Sequence, residues 1–88
     1  MRYSKSGYEL VYKKSVIKFV IKQDESTKQK IAQAILGLPF DGDIKKLEGI
    51  KIPPTFRIRI GNIRVIYIVN HLDKKITILK IDNRGDIY

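Results

Sequence analysis

The chain has 88 residues, 43% of them hydrophobic, with 18 lysines and arginines against 9 aspartates and glutamates, a formal net charge of +9 and a pI near 9.9. This length supports one small domain with its own core and leaves no room for a second. The charge favours a polyanionic partner, whether nucleic acid, an acidic protein or an anionic membrane surface. With no cysteine, disulfides and thiolate metal sites are excluded, and the one histidine, His71, builds no metal site alone. No apolar run is long enough for a signal peptide or a bilayer span, so a cytoplasmic location and no membrane partner are expected.

Tyr8–Tyr12 is a short β-prone run after Gly7 and predicts a first strand. Ser15 can then cap a helix in which Val16, Phe19 and Val20 form a buried stripe and Lys18 and Lys22 face solvent, while the β-branched content of Val16 to Ile21 also allows a longer strand. Ser26-Thr27-Lys28-Gln29 has the spacing of a capping box, which starts a second helix near Thr27. Its stripe is Ile31, Ala34, Ile35 and Leu38, and Gly37 with Pro39 ends it. The short link between the helices implies an antiparallel helical hairpin able to cover one face of a sheet.

Phe40 to Asp43 reads as a turn in which Asp41 and Asp43 shape the backbone rather than bind a metal, and residues 44–55 read as a connection containing Pro53-Pro54. Next comes the strongest pattern in the chain, Phe56-Arg57-Ile58-Arg59-Ile60-Gly61-Asn62-Ile63-Arg64-Val65-Ile66-Tyr67. Alternating apolar residues around Gly61-Asn62 predict a two-residue β-hairpin, both turn residues taking positive φ. That register places Phe56, Ile58, Ile60, Ile63, Val65 and Tyr67 on one face and Arg57, Arg59 and Arg64 on the other, with Arg59 opposite Arg64. The strand continues to Asn70, His71 to Lys74 forms a loop, and Lys75 to Ile81 is a last strand. The expected fold is α+β, in the order β-α-α-β-β-β: an antiparallel sheet with the helical hairpin packed on one face and the other face partly open.

Opposed arginines repel, and a cross-strand pair is worth about 0.2–1 kcal/mol in either direction, so stability does not select them. A solvated sheet face also carries long basic side chains as a guard against edge pairing, and the face can be read either way. The distribution of residue types adds information. The helical segments use lysine alone, whereas Arg57, Arg59, Arg64 and Arg84 lie in or after the strands. Arginine suits bidentate phosphate recognition and stays protonated, and a tyrosine beside it, here Tyr88, offers a ring for a base to stack on. Neither a glycine-rich phosphate loop, nor a Ser or Cys nucleophile with a histidine partner, nor a metal-spaced carboxylate cluster is present in the sequence. His71 reads as an exposed loop histidine.

Three stretches in order, Lys46-Leu47-Glu48-Gly49, the hairpin, and Ile81-Asp82-Asn83-Arg84-Gly85-Asp86-Ile87-Tyr88, resemble the RelE/ParE superfamily of toxins from toxin–antitoxin pairs. The resemblance spans the chain as one domain of RelE-like microbial ribonuclease fold. It implies a ribosome-dependent endoribonuclease that cuts messenger RNA in the A site without metal or cofactor. The partners it implies are the ribosome with its mRNA and small-subunit ribosomal RNA, and an acidic, RelB-like antitoxin. It places Arg57 and Arg59 at the paired basic positions of the second strand, Arg64 at the third-strand arginine, and Arg84 and Tyr88 at the C-terminal pair. The implied roles are counter-charge at the phosphate for Arg64 with Arg57 or Arg59, the leaving-group side for Arg84, and base stacking for Tyr88. RelE itself has lysines at the paired positions. Arginine titrates too high to act readily as a base, which leaves that role to Lys45 or Lys46, or to positioning by the ribosome. Two other readings use the same residues: a ParE-like toxin that inhibits DNA gyrase without nuclease activity, and a basic nucleic-acid-binding module with no activity.

Overall fold

The computed structural model describes residues 2–49 and 53–83, in the order β1 (Glu9–Tyr12), α1 (Lys14–Ile21), α2 (Glu25–Leu36), β2 (Asp43–Lys46), β3 (Thr55–Ile60), β4 (Ile63–Asn70) and β5 (Lys75–Asn83). The strands form one sheet in the spatial order β1-β5-β4-β3-β2. From β2 to β5 it is an antiparallel meander, and β1 joins the β5 edge in parallel, which makes the sheet mixed. Between β1 and β2, which are opposite edges, the chain crosses one face of the sheet as α1 over β5 and α2 over β3.

The hairpin has the register expected from its sequence: Ile60 pairs with Ile63, Arg59 with Arg64, Ile58 with Val65 and Phe56 with Tyr67. Only Gly61 takes a positive φ, +59°, so the turn follows the type II′ pattern, with glycine first, rather than using two left-handed residues. Strand β4 then alternates strictly. Ile63, Val65, Tyr67 and Val69 are buried under the helices, while Arg64, Ile66 and Ile68 lie on the other face. Val16 of α1 and Ile31 and Ile35 of α2 close the same core together with Leu38. Gly42 leads into β2 with φ +120°, a conformation that favours glycine, and a Cβ there would come 2.6 Å from the tip of the Ile58 side chain and displace it.

Several local expectations are corrected. Residues Asp43–Lys46 are a strand, not a turn and connection. Their charged, non-alternating sequence suits an edge strand, which pairs on one side only. Ser15 lies inside α1, whose N-cap is Lys13 with no side-chain cap. Helix α2 begins earlier than expected because Asp24 is the cap, its carboxylate accepting a 2.8 Å hydrogen bond from the Thr27 backbone N–H. That bond holds the Asp24 carboxyl below its ordinary range. Strand β5 continues past Ile81 to Asn83. A bulge between Ile78 and Lys80 lets Ile78 and Ile81 face the core on either side of it.

Tyr67 is fully buried, its ring stacked on Phe56 at 5.7 Å between centroids, and its hydroxyl has no hydrogen-bond partner among the described residues. Desolvation pushes the phenol up to about 12. Because the folded value exceeds the unfolded one, the protein should lose stability as pH rises from about 10 through 12, when only the unfolded chain ionises readily. Tyr67→Phe should remove that component of the alkaline loss in pH-dependent urea titrations and leave neutral-pH stability unchanged or raised by about 1 kcal/mol. In the same assay Asp24→Ala should lower the urea midpoint, whereas Ser26→Ala should leave it in place.

Candidate functional site

Pairing across the uncovered face sets the charges in rows. Asp43 of β2 pairs with Arg59 of β3, Arg59 with Arg64 of β4, and Arg64 with Asp82 of β5. The next row is Lys45, Arg57, Ile66 and Lys80. Between the first two strands of these rows and the chain leaving β2 lies a depression of about 280 Å³, lined by Lys45, Lys46, Leu47, Glu48, Arg57, Arg59 and Arg64. The alternation that buries Ile58 and Val65 thus projects Arg57, Arg59 and Arg64 to the opposite side.

The three arginines are held differently. Arg57, with 13% of its side chain exposed, donates from Nη1 to the Asp43 carbonyl oxygen at 3.2 Å and lies 3.7 Å from that residue's carboxylate. Arg64 grips Asp82 with two bonds, Nε to Oδ1 at 3.3 Å and Nη2 to Oδ2 at 3.0 Å. Lys80 Nζ stands 3.6 Å from the same Oδ2. Arg59 is exposed and has no ion-pair or hydrogen-bond partner among the described residues. The site therefore combines two tethered guanidinium groups with one untethered, on a face where cations outnumber carboxylates. It can bind an anion from several directions, with rigid donors on two sides and an adaptable one between.

The sequence-predicted residues Arg57, Arg59, Arg64, Lys45 and Lys46 meet at this depression. Lys45 and Lys46 reach it from strand β2, not from a loop; Lys45 shares the face of Arg57, and Lys46 lines the site from the free edge. Arg84 and Tyr88 lie outside the described residues. His71 follows β4 at the far end, about 23 Å from Arg64 along an extended strand. It is exposed, as expected, and its Nδ1 is 2.7 Å from the Tyr8 hydroxyl. Sequence reasoning missed Asp82 and Lys80 as members of the face. The signal was the continued alternation Lys80-Ile81-Asp82, which carries the last strand up to Arg64.

A second surface lies on the helical side. Tyr12, Val16, Ile17, Val20, Ile21, Ile31, Ala32 and Ile35 line an apolar groove between α1 and α2, with Lys28 at its side and Ile21 63% exposed. No helix among the described residues is long and apolar enough to cross a membrane.

Neither a protein-family model nor a curated protein sequence matches this chain. Solved structures do. The chain is 31% identical to one in the archaeal RelE–RelB complex from Pyrococcus horikoshii OT3, over 97% of this chain and 98% of that one, with a TM-score of 0.70. A RelB–RelE antitoxin–toxin complex from Methanococcus jannaschii matches at 25% identity over 89% and 94%, with a TM-score of 0.66. The isolated E. coli RelE toxin shares the fold at 16% identity over 88% and 84%, with a TM-score of 0.71. A basic depression on the open face of a sheet backed by two helices is thus set in the architecture of the RelE/ParE toxins. The chain belongs to that superfamily, as a RelE-type toxin.

The opposed arginines should respond unequally to truncation. Arg59→Ala should leave stability unchanged or raise it by up to about 1 kcal/mol by relieving repulsion. Arg64→Ala should cost about 1 kcal/mol, a value reduced for the pair's partial exposure, because Asp82 keeps only Lys80. Urea denaturation of both variants measures the contrast.

Proposed function

We propose that this chain is a single RelE-like toxin domain acting in the cytoplasm as a ribosome-dependent endoribonuclease, cleaving messenger RNA in the A site and so stopping translation. The observation that carries this reading is the depression walled by Arg57, Arg59 and Arg64, with Lys45 and Lys46 at its rim. Membership of the RelE-type toxins supports it.

In the proposed reaction the ribose 2′-hydroxyl attacks the adjacent 3′ phosphate. The P–O5′ bond breaks, leaving a cyclic phosphate on one fragment and a 5′-hydroxyl on the other. The charge that develops on the phosphorane oxygens needs fixed counter-charge. Arg64, braced by Asp82, and Arg57, braced by Asp43, supply oriented cations, and the untethered Arg59 can close on the phosphate from the β3 side. Lys45 and Lys46 are the amines at the site able to take a proton or hold the RNA backbone. Arg84 and Tyr88 are assigned the leaving-group and base-stacking roles from the family pattern. The ribosome supplies in-line placement of the RNA.

The partner that silences the toxin is an acidic antitoxin, in keeping with the RelE–RelB complexes among the similar structures. The basic depression attracts its carboxylates, and the groove between α1 and α2 offers apolar area beside lysine.

Induction of the chain in cells, followed by mapping of messenger 5′ ends, tests the activity. Cuts should fall only in translated frames. Arg64→Ala and Arg59→Ala should each slow cleavage of mRNA on programmed ribosomes by about 100-fold or more, with circular dichroism unchanged. Full cleavage by Arg64→Ala would reject the site, and growth arrest with inhibited DNA supercoiling but no cuts would transfer the chain to the gyrase-inhibiting class.

A further inference from the structure

We infer that Asp82 is a positioning residue for the cleavage reaction, holding the Arg64 guanidinium in one orientation at the depression. This rests on the functional reading above. Arg64 stands between two directly paired neighbours of opposite charge, Arg59 on β3 and Asp82 on β5. Repulsion from one side and attraction from the other drive it toward β5. The contact made there is two-pronged, through Nε and Nη2 to the two oxygens of one carboxylate. Such a fork fixes the plane of the guanidinium as well as its position. Both side chains are partly buried, 31% and 24% exposed, so salt screens the pair less than it would an open surface pair.

A carboxylate beside a phosphate site lowers the attraction for RNA, and a surface needing only positive charge has no use for one. Orientation accounts for it. An arginine side chain has four rotatable torsions, and one braced by Asp82 meets the developing phosphorane without first being ordered. Lys80, 3.6 Å from Oδ2, keeps the carboxylate balanced and lies on the same face. The inference therefore assigns Asp82 an effect on the rate of the chemical step and little effect on RNA binding.

Single-turnover cleavage on programmed ribosomes tests this, with the unsubstituted protein, Asp82→Asn, Asp82→Glu, Arg64→Ala, and Arg64→Ala combined with Asp82→Asn. Asp82→Asn should slow the saturated rate by ~10–100-fold while the half-saturating concentration stays within about threefold or falls. Asp82→Glu should recover part of the rate. The double variant should cleave no more slowly than Arg64→Ala alone, because Asp82 acts through Arg64. A full rate in Asp82→Asn, or a double variant slower than Arg64→Ala by the full Asp82→Asn factor, would overturn the role.

The NMR signal of the Arg64 Nε–H gives a reading independent of cleavage. It should be resolved and slow to exchange in the unsubstituted protein, and shift and exchange faster in Asp82→Asn. An unchanged signal overturns the bracing. If the unsubstituted protein shows the braced signal but cuts no mRNA, the functional reading fails while the Arg64–Asp82 bracing stands.

Discussion

The register of the β3–β4 hairpin is the constraint on which the rest of the structure depends. Gly61 enters the turn at φ +59°, and its conformation fixes which residue of β3 lies opposite which residue of β4. Because side chains alternate, a slip of one residue would carry Ile58 out of the core and bring an arginine into it. Burial of Ile58, Val65 and Tyr67 under the helices opposes any such slip, so the force that builds the core also aims Arg57, Arg59 and Arg64 outward.

The cost of gathering those cations is met locally. Arg59 and Arg64 are directly paired, and their repulsion is countered at the ends of the row, by Asp43 opposite Arg59 and Asp82 opposite Arg64. Asp43 turns its contacts to Arg57 rather than to Arg59, which leaves Arg59 the untethered member. The face thus retains a surplus of positive charge while two of its three arginines are ordered. The helices, by contrast, carry lysine and no arginine, and a flexible, strongly hydrated cation suits their solvated surface.

Much of this was legible in the sequence wherever the governing physics is local. Period-two alternation on both sides of Gly61-Asn62 determined the hairpin, its register and the arginine face. The apolar stripes determined the two helices and their buried residues, as Val16, Ile31, Ile35 and Leu38 show. These patterns declare themselves within a window of about a dozen residues. The candidates Arg57, Arg59 and Arg64 were named from strand position and residue type, and Lys45 and Lys46 from a connection ahead of the hairpin, together with the likeness to a toxin family.

Tertiary structure decided what depends on partners distant in the chain. The strand Asp43–Lys46 carries four residues with no alternation, and only pairing to β3 makes it a strand and turns Lys45 toward Arg57. Parallel docking of β1 on β5 joins residues more than sixty positions apart, for which no turn signal exists. The bulge in β5 shifts the phase of its side chains, so that Ile81 faces the core and Asp82 comes to rest against Arg64. A sequence shows that an arginine lies on a face; which carboxylate grips it is a matter of long-range register, and only the folded sheet supplies it.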